Sequence, residues 1–192
     1  VAQAAESIAA AARPEPVELV IPHCEPGIGS VIVAADASQL IAGVRIHPLT
    51  IWPDDRGYFV EVQRMGSGLA AEFPAATTQV SAALNYPGII KAFHYHLHQT
   101  DCWTPVAGMF QVALIDLRAD SPTLGVKNTI YSGTLRPWQI LIPPGVAHGY
   151  KVIGSEPGLL VYLTDRFYDP QDEGRLAYND PQLGYDWELQ HK

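Results

Sequence analysis

The chain has 192 residues, 47 % of them apolar, which is enough for one domain with a sizeable core; its 16 prolines and 16 glycines suit a compact β-rich fold with many turns. A formal charge of −8 excludes a general nucleic-acid binder, whose phosphate partner needs a basic surface, but leaves room for one small anionic ligand in a local basic pocket. No apolar run approaches the roughly 20 residues that cross a bilayer as a helix, so no membrane partner is expected.

Residues 1–16 read as a flexible or helical N-terminal extension, alanine-rich and ended by Pro14 and Pro16. The alternative is a remnant of a longer targeting segment, since the first residue is not methionine. Residues 17–192 then form a single β domain. PVELVIPHCEPGIGSV predicts short strands broken by turns, and VIVAADASQL a strand followed by an exposed turn. GVRIHPLTIWPDDRGYFVEVQR predicts two short strands joined by WPDDRG. MGSGLAAEFPAA, with two glycines and a proline, predicts a loop with one helical turn. Cys24 and Cys102 are the only cysteines, and a chain this long needs no disulfide staple. A soluble cytoplasmic protein is expected.

The second half is strand-like throughout: IIKAFHYH, MFQVALIDLR, NTIYSG, WQILIPP and LLVYLTD are short runs separated by turns. In MFQVALIDLR, Phe110, Val112 and Leu114 share one face, and Gln111, Ala113 and Ile115 the other. Both faces are largely apolar, so the strand is expected to be covered on both sides, as in a sandwich or barrel. An all-β domain follows. From about Asp165 onward a polar, aromatic, turn-rich tail is expected to pack back over it.

The segment GIIKAFHYHLHQTDCWTPVAG places His94, His96 and His98 at alternate positions. In a strand, His94 and His96 share a face opposite Tyr95, and Asp101 can return across a turn to the same space. These groups can ligate a metal, transfer a proton, or simply hydrogen-bond across a polar cavity. His98 reads as a surface residue. Further on, PPGVAH sets His148 after a Pro-Gly turn. The two segments resemble the paired metal-binding signatures of the cupin superfamily, with Asp101 in place of the usual glutamate. The implied ligand set is His94, His96, Asp101 and His148, which suits one divalent ion such as iron, manganese, nickel or zinc.

From about Gly43 to Trp187 the chain also resembles the dTDP-4-dehydrorhamnose 3,5-epimerase family. DDRGYFVE, KAFHYH, VALIDLRADSPTLG, ILIPPGVAHGY, VYLTDRFYDP and YNDPQLGYDW carry the resemblance. It implies a cupin-like double-stranded β-helix (jelly-roll) barrel, a homodimer, a nucleotide-linked 4-keto-6-deoxy sugar as substrate, and no organic cofactor. It implies His94 as base and Tyr162 as general acid on the opposite sugar face. His148 becomes a pocket histidine, Gln79 a ligand contact and Lys91 the counterpart of a phosphate-binding arginine. Arg56, Phe59 and Glu61 become residues that help hold the nucleotide, partly across the dimer interface. An imidazole suits removal of a proton beside a ketone, and the resulting enolate needs a cation or donor.

Three departures bear on that chemistry. Asp101 stands where the family has a lysine, His96 replaces a glutamine, and the family's C-terminal aspartate that orients the base has no match after Trp187. A divalent metal can take over enolate stabilisation from the missing lysine. The resulting readings are a sugar-nucleotide epimerase or isomerase, with or without metal assistance, a metal-dependent cupin oxygenase or lyase on a small polar substrate, and a non-catalytic sugar-nucleotide binding protein.

Overall fold

The computed structural model describes residues 15–189. Most of the expected N-terminal extension lies outside the described residues.

The described residues form thirteen strands in chain order: β1 Ser30–Val31, β2 Arg45–Pro48, β3 Ile51–Asp54, β4 Gly57–Val60, β5 Gln79–Asn85, β6 Ile90–His96, β7 Asp101–Ala107, β8 Met109–Asp116, β9 Lys127–Gly133, β10 Trp138–Ile142, β11 Val146–Ile153, β12 Gly158–Thr164 and β13 Glu173–Arg175. Among the described residues, helix is confined to a 3-10 turn at Gly68–Ala70, inside the predicted glycine-rich loop. One sheet has the order β1-β9-β8-β11-β6-β13 and the second β2-β10-β7-β12-β5, while β3 and β4 form a separate hairpin. Strands β5 to β12 thus form two facing rows, β5-β12-β7-β10 and β6-β11-β8-β9, which is the jelly-roll order.

The core lies between the sheets. Phe110, Val112 and Leu114 of β8 pack there with Trp103, Ile130, Ile140, Tyr150 and Leu160. The opposite face of β8, with Ala113 and Ile115, packs on Leu183, Tyr185 and Trp187 of the C-terminal tail. Both faces of this strand are therefore covered, as its unbroken apolar sequence requires. Lys127 fastens the tail: its buried ammonium donates to the carbonyls of Glu25, Gly27, Leu183 and Gly184 at 2.6–3.1 Å. Cys24 and Cys102 are buried and unpaired with each other.

Two local readings are corrected. GVRIHPLTIWPDDRGYFVEVQR holds three strands, and Trp52, Pro53 and Asp54 belong to β3 rather than to the turn. A two-residue turn at Asp55–Arg56 suffices, and Pro53 is tolerated because it lies in a two-stranded hairpin with a free edge. His98, read as a surface residue, is half-buried with its Nδ1 enclosed, and it lies in the turn of residues 97–100 because β6 stops at His96.

Candidate active site

A cavity of about 270 Å³ opens between the sheets, and its walls include Gln79, Lys91, His94, His96, Asp101 and Tyr162. β6 supplies Lys91, His94 and His96. Residues three apart on a regular strand face opposite ways, so Lys91 and His94 share the cavity only because the pairing of β6 with β11 slips. His148 pairs with His94, but Tyr150 pairs with Lys91, so two steps on β11 span three on β6. Gly149 sits opposite this bulge. A Cβ there would lie 2.3 Å from Ala92 Cβ and 2.8 Å from the Lys91 carbonyl oxygen, so the close approach requires glycine. On the facing sheet, Tyr162 comes from β12, where it pairs with Trp103 on one side and Ser81 on the other. His94 and Tyr162 therefore occupy opposite walls.

Asp101 begins β7, at the turn from β6. Its carboxylate is buried and accepts from Gln99 Nε2 at 2.7 Å and Trp103 Nε1 at 2.9 Å. Its ion-pair partners among the described residues are imidazoles: His148 Nε2 at 3.5 Å and His96 Nε2 at 3.8 Å. Burial pushes its pKa above the ordinary carboxylate value, with His96, Gln99 and Trp103 pulling it back. His148 Nδ1 lies 2.8 Å from the Val146 carbonyl, which fixes Nδ1 as the protonated nitrogen and leaves Nε2 as a lone pair. Burial, reinforced by His94 and His96, holds its pKa well below the usual histidine value.

His94 is the base candidate. Burial brings its pKa down to about 4, with His96 adding to the effect and Glu173 opposing it. The ring is thus neutral, and able to accept a proton, across the physiological range. Its centroid lies 4.4 Å from that of His148.

The structure brings together most of the expected site but divides the expected metal quartet. His96, Asp101 and His148 each offer a donor atom within 4.8 Å of the others, and His94 stands outside that trio. Arg56, Phe59 and Glu61 do not line the cavity. They lie on or just after the β3–β4 hairpin, where Arg56 pairs with Asp54, Glu61 with Arg64, and the Phe59 ring packs 5.7 Å from Trp52. Sequence reasoning missed Gln99, Trp103, Tyr168 and Glu173. Trp103 was readable, since it is two residues from Asp101 and shares its face. Glu173 was not, because only the pairing of β13 with β6 sets it opposite His96.

The architecture and cavity define a jelly-roll barrel with a histidine-lined site. The family model for dTDP-4-dehydrorhamnose 3,5-epimerase matches residues 38–192. The spore coat polysaccharide biosynthesis protein SpsL of Bacillus subtilis is 41 % identical over 155 residues, covering 80 % of this chain and 100 % of that protein. The dTDP-4-dehydrorhamnose 3,5-epimerase of Pseudomonas aeruginosa is 33 % identical over 146 residues, covering 73 % of this chain and 78 % of that one. A crystal structure of dTDP-6-deoxy-D-glucose-3,5-epimerase from Legionella pneumophila, in complex with dTDP-4-keto-L-rhamnose, superposes with a TM-score of 0.63 at 27 % identity, covering 78 % of this chain and 80 % of that one. The chain belongs to the dTDP-4-dehydrorhamnose 3,5-epimerase family and is an enzyme of the epimerase class.

Proposed function

We propose that the protein epimerises a nucleotide-linked 4-keto-6-deoxy sugar, with His94 as base and Tyr162 as acid. The observation that carries this is a neutral histidine and a tyrosine on opposite walls of one cavity. His94 takes a proton from the carbon beside the ketone, leaving an enolate. Tyr162 returns a proton to the other face, and the carbon inverts. Gln79 helps shape the sugar site, whereas His148, expected as a pocket histidine, is buried behind the cavity wall with its ring 4.4 Å from that of His94. Lys91, exposed and on the cavity wall, offers its ammonium to the diphosphate, with less directional grip than an arginine fork. Thymidine diphosphate is the first nucleotide to test, because the Legionella relative is named in complex with a dTDP sugar.

The working unit in this reading is a homodimer. β5 is the edge of its sheet, and its outward residues Val80 and Leu84 are exposed, as are Trp52 and Phe59 of the hairpin. Such an apolar edge favours a second copy over water. Arg56, Phe59 and Glu61 would then reach the nucleotide in the partner's cavity. A scattering mass of a single chain at micromolar concentration would remove this part. Two unpaired cysteines fit a cytoplasmic location. Metal assistance is a second reading, favoured by the buried His148 Nε2 that lacks a hydrogen-bond partner.

Proton NMR of a dTDP-4-keto-6-deoxy sugar mixed with the protein tests the assignment. New resonances of the inverted epimer are expected, and they should disappear with His94→Asn. No conversion by folded wild-type protein, across several nucleotide forms, would count against it.

A further inference from the structure

Buried polar atoms find partners, because an N–H or a lone pair left alone in a dry interior costs free energy. Among the described residues, His96 Nδ1, His98 Nδ1 and His148 Nε2 are buried and have none. Of these three rings only that of His96 lies on the wall of the cavity. Several other polar groups around that wall are already taken. Gln79 donates to Ser81 and accepts from the Tyr168 N–H, the Trp103 indole donates to Asp101, and the Thr164 hydroxyl donates to the Arg166 carbonyl. Glu173 stands opposite His96 on β13, but its carboxylate accepts from Arg175 Nε at 2.6 Å.

Gln99 decides whether His96 Nδ1 is a donor or a lone pair. The Gln99 Nε2 lies 2.7 Å from Asp101 Oδ1 and 3.2 Å from His96 Nε2. The carboxylate fixes which way the amide points, since Oε1 in that place would set one acceptor against another. One amide hydrogen meets the carboxylate and the other meets His96 Nε2, which is therefore a lone pair. In the neutral imidazole the proton is then on Nδ1. The backbone beneath Gln99 is held as firmly, since the Asp172 carboxylate accepts from the N–H groups of Leu97, His98 and Gln99 at 2.8–3.0 Å. His96 thus carries a fixed N–H without a partner, in a ring 6.1 Å from that of His94 on the same strand.

We propose that His96 is a further catalytic residue, whose Nδ1–H donates to the ketone oxygen as it becomes an enolate. The role rests on the epimerase reading. The oxygen is a short step from the carbon that loses its proton, so its donor has to stand beside the base. His94 takes the proton, the C–H electron pair becomes a C=C bond, and the carbonyl π pair moves to oxygen. The His96 proton stays on its nitrogen and stabilises the new negative charge by a hydrogen bond. Tyr162 then protonates the carbon from the other face and the carbonyl re-forms. A donor already fixed by Gln99 needs no reorganisation when the charge develops. The family resemblance gives this part to a lysine at the Asp101 position. Here the carboxylate at that position holds Gln99 instead, and through Gln99 the tautomer of His96.

The test follows deuterium entry into a dTDP-4-keto-6-deoxy sugar in deuterated water. His96→Phe keeps a buried ring and removes the N–H, so kcat for exchange should fall ~100-fold or more with KM little changed. His96→Gln returns an N–H to the same wall and should recover at least ~10-fold of that loss. Both variants should bind thymidine diphosphate as the wild type does, which separates a missing donor from a damaged fold. Nitrogen NMR of isotope-labelled wild type near neutral pH, with His96 assigned by its absence from the His96→Gln spectrum, should show a protonated Nδ1 and a bare Nε2. Wild-type exchange rates in His96→Phe overturn the role, as does equal loss in the two variants when both bind thymidine diphosphate. A bare Nδ1 overturns it without any kinetic comparison. Wild-type exchange that is lost on chelation and restored by a divalent ion also overturns it, because a metal then carries the enolate charge. A wild type that exchanges nothing removes the epimerase reading and this role with it, whereas an active wild type matched by His96→Phe removes the role alone.

Discussion

Replacing His94 with asparagine should change how stability responds to acid. In the folded chain burial brings the His94 pKa from 6.5 to about 4. In the unfolded chain the ring is solvated and takes a proton near the ordinary value. Between about pH 6.5 and pH 4 the unfolded state therefore binds a proton that the folded state does not. Stability from this group is complete above the unfolded pKa and is lost as pH falls through that window. At about 1.4 kcal/mol per pH unit, the whole loss is about 3 kcal/mol. Asparagine does not titrate, so His94→Asn should lose much less stability on acidification. Urea unfolding of both proteins at about pH 7 and about pH 4.5 measures this. The wild-type loss should exceed the variant loss by roughly 2–3 kcal/mol. His148 is depressed in the same direction and is relieved in part when His94 goes, so the comparison reads the coupled pair. Equal losses in the two proteins would refute a buried neutral His94. The same ring predicts proton abstraction that is flat near neutrality and falls only as the pH approaches about 4.

Tyr162→Phe should abolish inversion, with a fall of roughly 100-fold or more in epimer formation, while solvent deuterium still enters the sugar through His94. Proton NMR in deuterated water reads both, and equal loss of exchange and inversion would remove the division of labour. Gly149→Ala should destabilise the protein by roughly 1–3 kcal/mol in urea unfolding, because its Cβ meets Ala92 and the Lys91 carbonyl at the bulge; a neutral result would contradict the tight packing described there. Lys127→Met should cost roughly 2–3 kcal/mol and raise hydrogen exchange in the tail at Leu183 and Gly184, since four carbonyls lose their donor. Unchanged protection in that tail would show that the ammonium does not fasten it.

The strands easiest to read were those with apolar side chains on both faces, such as β8 and β10. β5, QVSAALN, was missed because alanine and serine carry little strand preference, and β7 because Pro105 interrupts DCWTPVA. The pairing of His94 with His96 followed from the two-residue period, and the return of Asp101 from a short turn. Lys91 could not be placed by period, since its entry into the cavity depends on the bulge opposite Gly149. Nor could the trio be separated from His94 by spacing, because that depends on which imidazole nitrogen meets the carboxylate across three strands. The hairpin residues Arg56, Phe59 and Glu61 were legible as a motif but not as part of a site within one chain.

The central claim is that His94 abstracts a proton next to a sugar ketone. Incubating a dTDP-4-keto-6-deoxy sugar with the protein in deuterated water, then recovering the sugar for mass spectrometry, tests it most directly. The account predicts deuterium at carbon next to the carbonyl with wild type, retained in Tyr162→Phe and absent in His94→Asn. Unlabelled sugar recovered from folded wild-type protein, or label that enters equally well with His94→Asn, would contradict it.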